Sequence, residues 1–154
     1  MNIWGSVPEG IGGTALMTFF IYVLSFITRE RFKVVKILGT MVTGQTRPDK
    51  SLSNTRSSIA TGTVLHYFVG ILFSLTYNWL WSNGIGAPNL KYCLLFGIIS
   101  GLIAVCIWKG FFMLHPNPPA VCLPSYLLVI FLGHVVFGTG VYLVYRSLTS
   151  GLLF

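Results

Sequence analysis

The sequence predicts an all-α integral membrane protein: a bundle of four transmembrane helices with a basic cytoplasmic loop between the first two. Three observations predict it. Only 8% of the 154 residues are charged and 54% are hydrophobic, with a mean hydropathy of +0.78. A soluble domain carries about 25% charged residues to keep its surface wet, so this chain has too few charges to cover a water-soluble globule and its apolar surface should face lipid. Four apolar runs are long enough for a bilayer, which takes about 20 helical residues. Finally, the basic residues are gathered: of the 10 Lys and Arg, all but Lys91, Lys109 and Arg146 fall between Arg29 and Arg56. A single basic loop between apolar runs is a signature of membrane orientation, and it explains the net charge of +7 without a nucleic-acid partner. One domain is expected at this length.

The spans are expected near Ile11–Thr28, Ile59–Trp81, Tyr92–Leu114 and Val121–Tyr145. The stretch before the first, MNIWGSVPEG, has no Lys or Arg and carries Glu9. A cleaved signal peptide would want a basic start, so the first run is expected to be retained, with Glu9 preceding it. Because Lys and Arg in short loops stay cytoplasmic, residues 29–58 and the link Pro116–Ala120 belong inside. Both chain ends, the link Ser82–Lys91 and the tail Gly151–Phe154 then belong outside (N-out/C-out). Lys109, near the inner end of the third span, agrees; Lys91 and Arg146 count against. Amphipathic rings prefer the headgroup level, which predicts Tyr77, Trp79, Trp81, Tyr92, Tyr142 and Tyr145 at the outer boundary and Trp108 and Tyr126 at the inner one.

Within the basic loop, Phe32, Val35, Leu38 and Val42 recur at helical spacing among Arg29, Arg31, Lys33 and Lys36. That pattern suits a short helix lying on the inner membrane surface; the polar stretch QTRPDKSLSNTRSS after it reads as a connector. Gly97 and Gly101 form a GxxxG on the third span, continued by Ala104. Such small residues let helices approach closely, within one chain or between subunits. Cys93, Cys106 and Cys122 are odd in number and form no CxxC, which reads as packing rather than a disulfide or zinc framework.

The spans are expected to hold no Asp or Glu, which argues against a small proton-coupled exporter, since such a pathway needs a buried ionisable group. The candidate ligand-binding residues are His66, Lys109, His115 and His134, with Tyr77 on the same helix face as His66, Gly70 and Ser74. At ~1.5 Å per residue, His66 lies about 10 Å from the cytoplasmic end of its span and His134 roughly 15–20 Å from the same side. Three readings stay open. The histidines are interhelical hydrogen-bonding residues; or His66 and His134 hold a haem or metal ion, against which stand their different depths and the lack of further ligands; or, with Lys109, they line a polar cavity for a small anion or lipid headgroup. No nucleophile with its base is visible, so no catalytic residue is assigned. In the segment HPNPP, Pro116 should end the third helix and the prolines stiffen a hairpin holding His115. Pro124 fits the first turn of the fourth span.

The segments HYFVGILFSLTYNWLW (66–81), HPNPP (115–119) and GHVVFGTG (133–140) resemble a group of small, uncharacterised bacterial membrane proteins. The likeness implies a four-helix inner-membrane protein and supplies no catalytic residues. Membrane glutathione transferases and their leukotriene-synthesising relatives are similar in architecture only, because their Asn-x-x-Glu element and catalytic arginine have no match here. The expectation is a non-enzymatic accessory subunit of a membrane assembly or a homo-oligomer, holding a lipid or small ligand in its cytoplasmic half. The alternative is a ligand-binding or transport module using His66, His115 and His134, and a haem or metal redox protein comes third.

Overall fold

The computed structural model describes residues 3–150, and within them five helices: α1 (Ile3–Thr28), α2 (Val34–Val42), α3 (Arg56–Ser82), α4 (Leu90–Leu114) and α5 (Leu123–Thr149). The tail 151–154, expected on the outer side, lies outside the described residues. Four of the helices, all but α2, are long and apolar enough to cross a membrane. Their outward faces carry large apolar side chains such as Phe19, Val64, Ile107 and Met113, and these need a non-aqueous surrounding.

Local chemistry sets the helix ends. Thr55 and Asn89 cap α3 and α4, each accepting a backbone N–H three residues on, from Ser58 and Tyr92; such caps satisfy donors that a first turn leaves orphaned. Pro124 lies in the first turn of α5, where its missing N–H costs nothing. Before Pro116, His115 is extended (ψ 127°) and ends α4. After α1, Arg29 turns the chain with a left-handed φ of 58°, the geometry common just past a helix end.

The largest departure from expectation is at the start of α1. It begins at Ile3 and runs through Pro8, eight residues ahead of the predicted span. A proline this close to the N-terminus forfeits only one hydrogen bond of the ladder. Glu9 is therefore inside a long apolar helix, and it is buried.

In the bundle, α1 and α5 are central, with α3 against α1 and α4 against α5, while α3 and α4 scarcely meet. The GxxxG of α4 packs within this chain: a Cβ on Gly97 would stand 2.7 Å from the carbonyl oxygen of His134. Helix α2 packs on α3. A Cβ on Gly62 of α3 would meet the Val35 carbonyl oxygen at 2.1 Å, so only glycine allows the approach. The face of α2 buried there includes Val34, Val35, Ile37 and Met41, whereas Val42 is exposed.

The aromatic residues expected at the two boundaries differ in what they face. Trp79 is exposed, but Tyr77 is buried in a cluster with Phe96, Phe137 and Trp81. Tyr126 is fully buried, edge-on to Trp108. Sequence spacing marks where a ring sits along the helix; whether it faces lipid or a neighbouring helix depends on the partner.

Candidate functional site

The gap between α3 and α4 becomes a cavity of about 230 Å³. Its walls are apolar, among them Met17, Phe73, Ala104, Trp108 and Ile130, and its polar groups come from His66, His134 and Thr14. The two histidines are at one level. His66 lies ten residues into α3 from Arg56 and His134 eleven into α5 from Leu123, about 15 and 16.5 Å along their axes. The different depths read from the sequence were an effect of starting α3 three residues late and α5 two residues early.

The imidazole hydrogen bonds can be followed proton by proton. Thr18 donates its hydroxyl proton to the Thr14 carbonyl oxygen (2.7 Å), so its oxygen accepts from His66 Nε2–H (3.0 Å). His134 donates Nδ1–H to the Ile130 carbonyl oxygen (2.9 Å) and meets the Phe73 ring edge-on. Each neutral ring is thereby anchored through one nitrogen to α1 or to its own helix, and keeps a lone pair on the other. These are the chemical assets of the cavity: two acceptor nitrogens among apolar walls.

The remaining sequence candidates are elsewhere. His115 has both nitrogens engaged: Nε2–H donates to the Met41 carbonyl oxygen (2.9 Å), and Nδ1 accepts from the Asn117 N–H (3.1 Å). It ties the proline-rich link to the end of α2 and does not line the cavity. Lys109 is exposed on α4 and also lies outside the cavity lining. Tyr77 donates to Ser100 Oγ (3.0 Å), which itself donates to the Gly97 carbonyl oxygen, a bond between α3 and α4 beyond the cavity. Among the described residues, no group of three or more His, Cys, Asp or Glu side chains converges as a metal site would need.

Sequence reasoning missed Glu9. Its Oε2 accepts from Asn78 Nδ2 (2.6 Å) and Ser74 Oγ (3.2 Å), both on α3. The spans do contain a carboxylate, and the argument against a proton-coupled pathway loses its ground. Asn78, Ser74, Gly70 and His66 follow one another at four-residue spacing on α3, and that spacing was the available signal: a polar stripe in an apolar helix asks for polar partners. Opposite it, α1 offers Glu9, Thr14 and Thr18, so one polar seam runs from the Glu9 cluster to the cavity.

At the other end of the bundle, the loop after α2 is folded rather than a loose connector. Thr46 donates to the Asn117 carbonyl oxygen (2.7 Å), the Ala120 N–H donates to the Lys50 carbonyl oxygen (2.8 Å), and Lys50 Nζ donates to Asn117 Oδ1. The Asp49 carboxyl is held below its usual range by the Ser51 hydroxyl and N–H that it accepts. The basic loop and the HPNPP link are therefore at the same end. No family model, curated protein or solved structure matches this chain.

Proposed function

We propose that the chain is a multi-pass protein of a bacterial inner membrane, N-out and C-out, that acts without catalysis as an accessory subunit holding a lipid tail or small amphipathic ligand between α3 and α4. One observation carries the ligand reading: the cavity of about 230 Å³ with His66 and His134 at one level among apolar walls. Drug-sized ligands occupy pockets of ~300–1,000 Å³, so this space suits an acyl segment or a small molecule with a hydrogen-bond donor. A haem would have to push α3 and α4 apart. The orientation is supported by the gathering of Arg29 to Arg56 and the HPNPP link at one end, and the bacterial assignment by the three resembling segments. Pairing with a second copy or a larger assembly belongs to the same proposal.

The test is to purify the protein in mild detergent without chelator, then extract lipids for mass spectrometry alongside an absorption spectrum and metal analysis. A ligand retained near one per chain and lost in Ala104→Phe, which fills the cavity, is the expected result. Equal yields from both proteins would remove the reading. A Soret band or stoichiometric metal, lost in His66→Ala or His134→Ala, would replace it with a redox function.

A second reading has its own support in the seam from Glu9 to His66. In it the same cavity passes an amphiphile in exchange for protons, with Glu9 as the exchanging group. Proteoliposomes holding a pH-sensitive dye and an imposed proton gradient would discharge on addition of tetraphenylphosphonium with the wild type and not with Glu9→Gln. Indifference of both proteins to the cation discards it.

A further inference from the structure

Helix α2 has a second side. Where Val34 and Leu38 close the cavity, Lys33 and Lys36 border a separate open cleft of about 940 Å³. Arg29, Arg31 and Arg47 join them, so five cations line the cleft with one carboxylate, Glu30, while Asp49 stands near Arg47 outside the lining. Three segments contribute these charges: the link after α1, α2 itself, and the loop that follows. Their convergence is held by hydrogen bonds to uncharged groups. Ser25 Oγ donates to the Glu30 carbonyl oxygen (2.6 Å), bending the link back on α1, and Lys36 Nζ donates to Asn54 Oδ1 (2.7 Å), closing the far wall. Gathering like charges costs energy unless an anion is supplied, and lone topological signals would not need a shared concavity.

The cleft is not polar throughout. Tyr22, Phe26 and Ile27 of α1 form one wall, and Phe26 is 86% exposed. Phe26, Val23 and Phe19 continue along the outward face of α1 at helical spacing. A cationic mouth therefore opens onto an apolar stripe on α1. A soluble anion uses only the mouth, whereas an anionic lipid uses both.

We propose that this cleft is a binding site for an anionic membrane lipid, its phosphate among Arg29, Arg31, Lys33 and Arg47 and its tail along Phe26, Val23 and Phe19. The site is distinct from the histidine cavity, with α2 between them, and it shares with the proposed function only the membrane-spanning reading.

Native mass spectrometry of the full chain from mixed micelles of phosphatidylglycerol and phosphatidylcholine tests it. The wild type is expected to retain phosphatidylglycerol preferentially, at about one per chain. Arg29→Gln, Arg31→Gln and Arg47→Gln, all at exposed positions, should each weaken retention about fivefold, the fold-change of the ~1 kcal/mol a basic residue gains near an anionic lipid surface. Lys91→Gln and Arg146→Gln should leave retention unchanged, as should Ala104→Phe. Equal retention of the two lipids overturns the proposal, and so does an equal loss in Lys91→Gln, which would mean bulk charge. Competition by glycerol 3-phosphate as effective as by the lipid would make the cleft an anion site without a lipid tail. Loss in Ala104→Phe alone would move the lipid to the histidine cavity, ending this proposal and leaving the proposed function standing.

Discussion

The contacts α4–α5 and α1–α3 join helices of nearly equal length by opposite means. Between α4 and α5 the backbones themselves meet: a Cβ on Gly138 would stand 2.2 Å from the Cys93 carbonyl oxygen, and Gly97 faces the backbone of His134 and Val135. Between α1 and α3 there is also a close glycine contact, Gly10 on Ile71, but polar side chains cross the seam at Thr18–His66 and at Glu9 with Ser74 and Asn78. A glycine seam needs only dispersion and shape, so any sequence that stays small will serve. A polar seam is demanding, because each buried donor or acceptor left alone loses its solvation without return. In an apolar bundle the first kind of contact holds helices together, and the second marks where the chain has been kept polar at a cost.

The sharpest break of this comparison is Gly138→Val. The added methyls cannot be placed without separating α4 from α5, and the loss should be about 3 kcal/mol, at the upper end for overpacking, read as a lowered unfolding midpoint in detergent. A midpoint within a degree of wild type would show that the glycine contact is not tight. On the other seam, Asn78→Leu should cost about 2 kcal/mol by leaving Glu9 short of its 2.6 Å donor. Glu9→Leu combined with Asn78→Leu should recover most of that loss, since the carboxylate leaves with its nearer donor and only the Ser74 hydroxyl, at 3.2 Å, loses a partner. If the double variant is no better than the single, the two residues are not partners.

Smaller effects follow nearer the cavity. His66→Gln should cost less than about 1 kcal/mol, as interhelical hydrogen bonds in membranes average ~0.6 kcal/mol. Thr18→Val added to it should cost little more, because the bond is already gone. Smallest is Asp49→Asn in the exposed loop. The depressed Asp49 pKa means its contribution is present above the ordinary carboxylate range and fades as pH falls through the lower native value. The variant should therefore differ slightly from wild type at neutral pH and coincide with it in strong acid, compared by thermal midpoint.

These residues also show where sequence reading stopped. His66 and His134 were legible as inward-facing through the small residues on their helix faces, but their common level was not, because two helix starts were off by a few residues. His115 looked like a ligand candidate because nothing local reveals that Met41, 74 positions away, accepts its proton. Glu9 was set outside the first span because its partners, 65 and 69 positions along the chain, are invisible to a local window. The short amphipathic helix was found in the loop, but that its apolar face covers α3 was not legible, since a face that can enter lipid can equally cover another helix.

By itself the sequence determined the all-α class, four helices long and apolar enough to cross a membrane, the helix stops at Pro116 and the start near Pro124, and the gathering of cations between the first two spans. These are local properties: apolar length, hydrogen-bond capacity and charge are carried by each segment alone. Tertiary structure decided which helices touch, and with that the cavity left between α3 and α4, the burial of Glu9, the engagement of His115 and the use of the GxxxG within the chain. The reason is that a membrane helix looks much the same to lipid as to another apolar helix. Only the fit of particular glycines and the pairing of particular polar groups distinguish the two, and both depend on residues far apart in the chain.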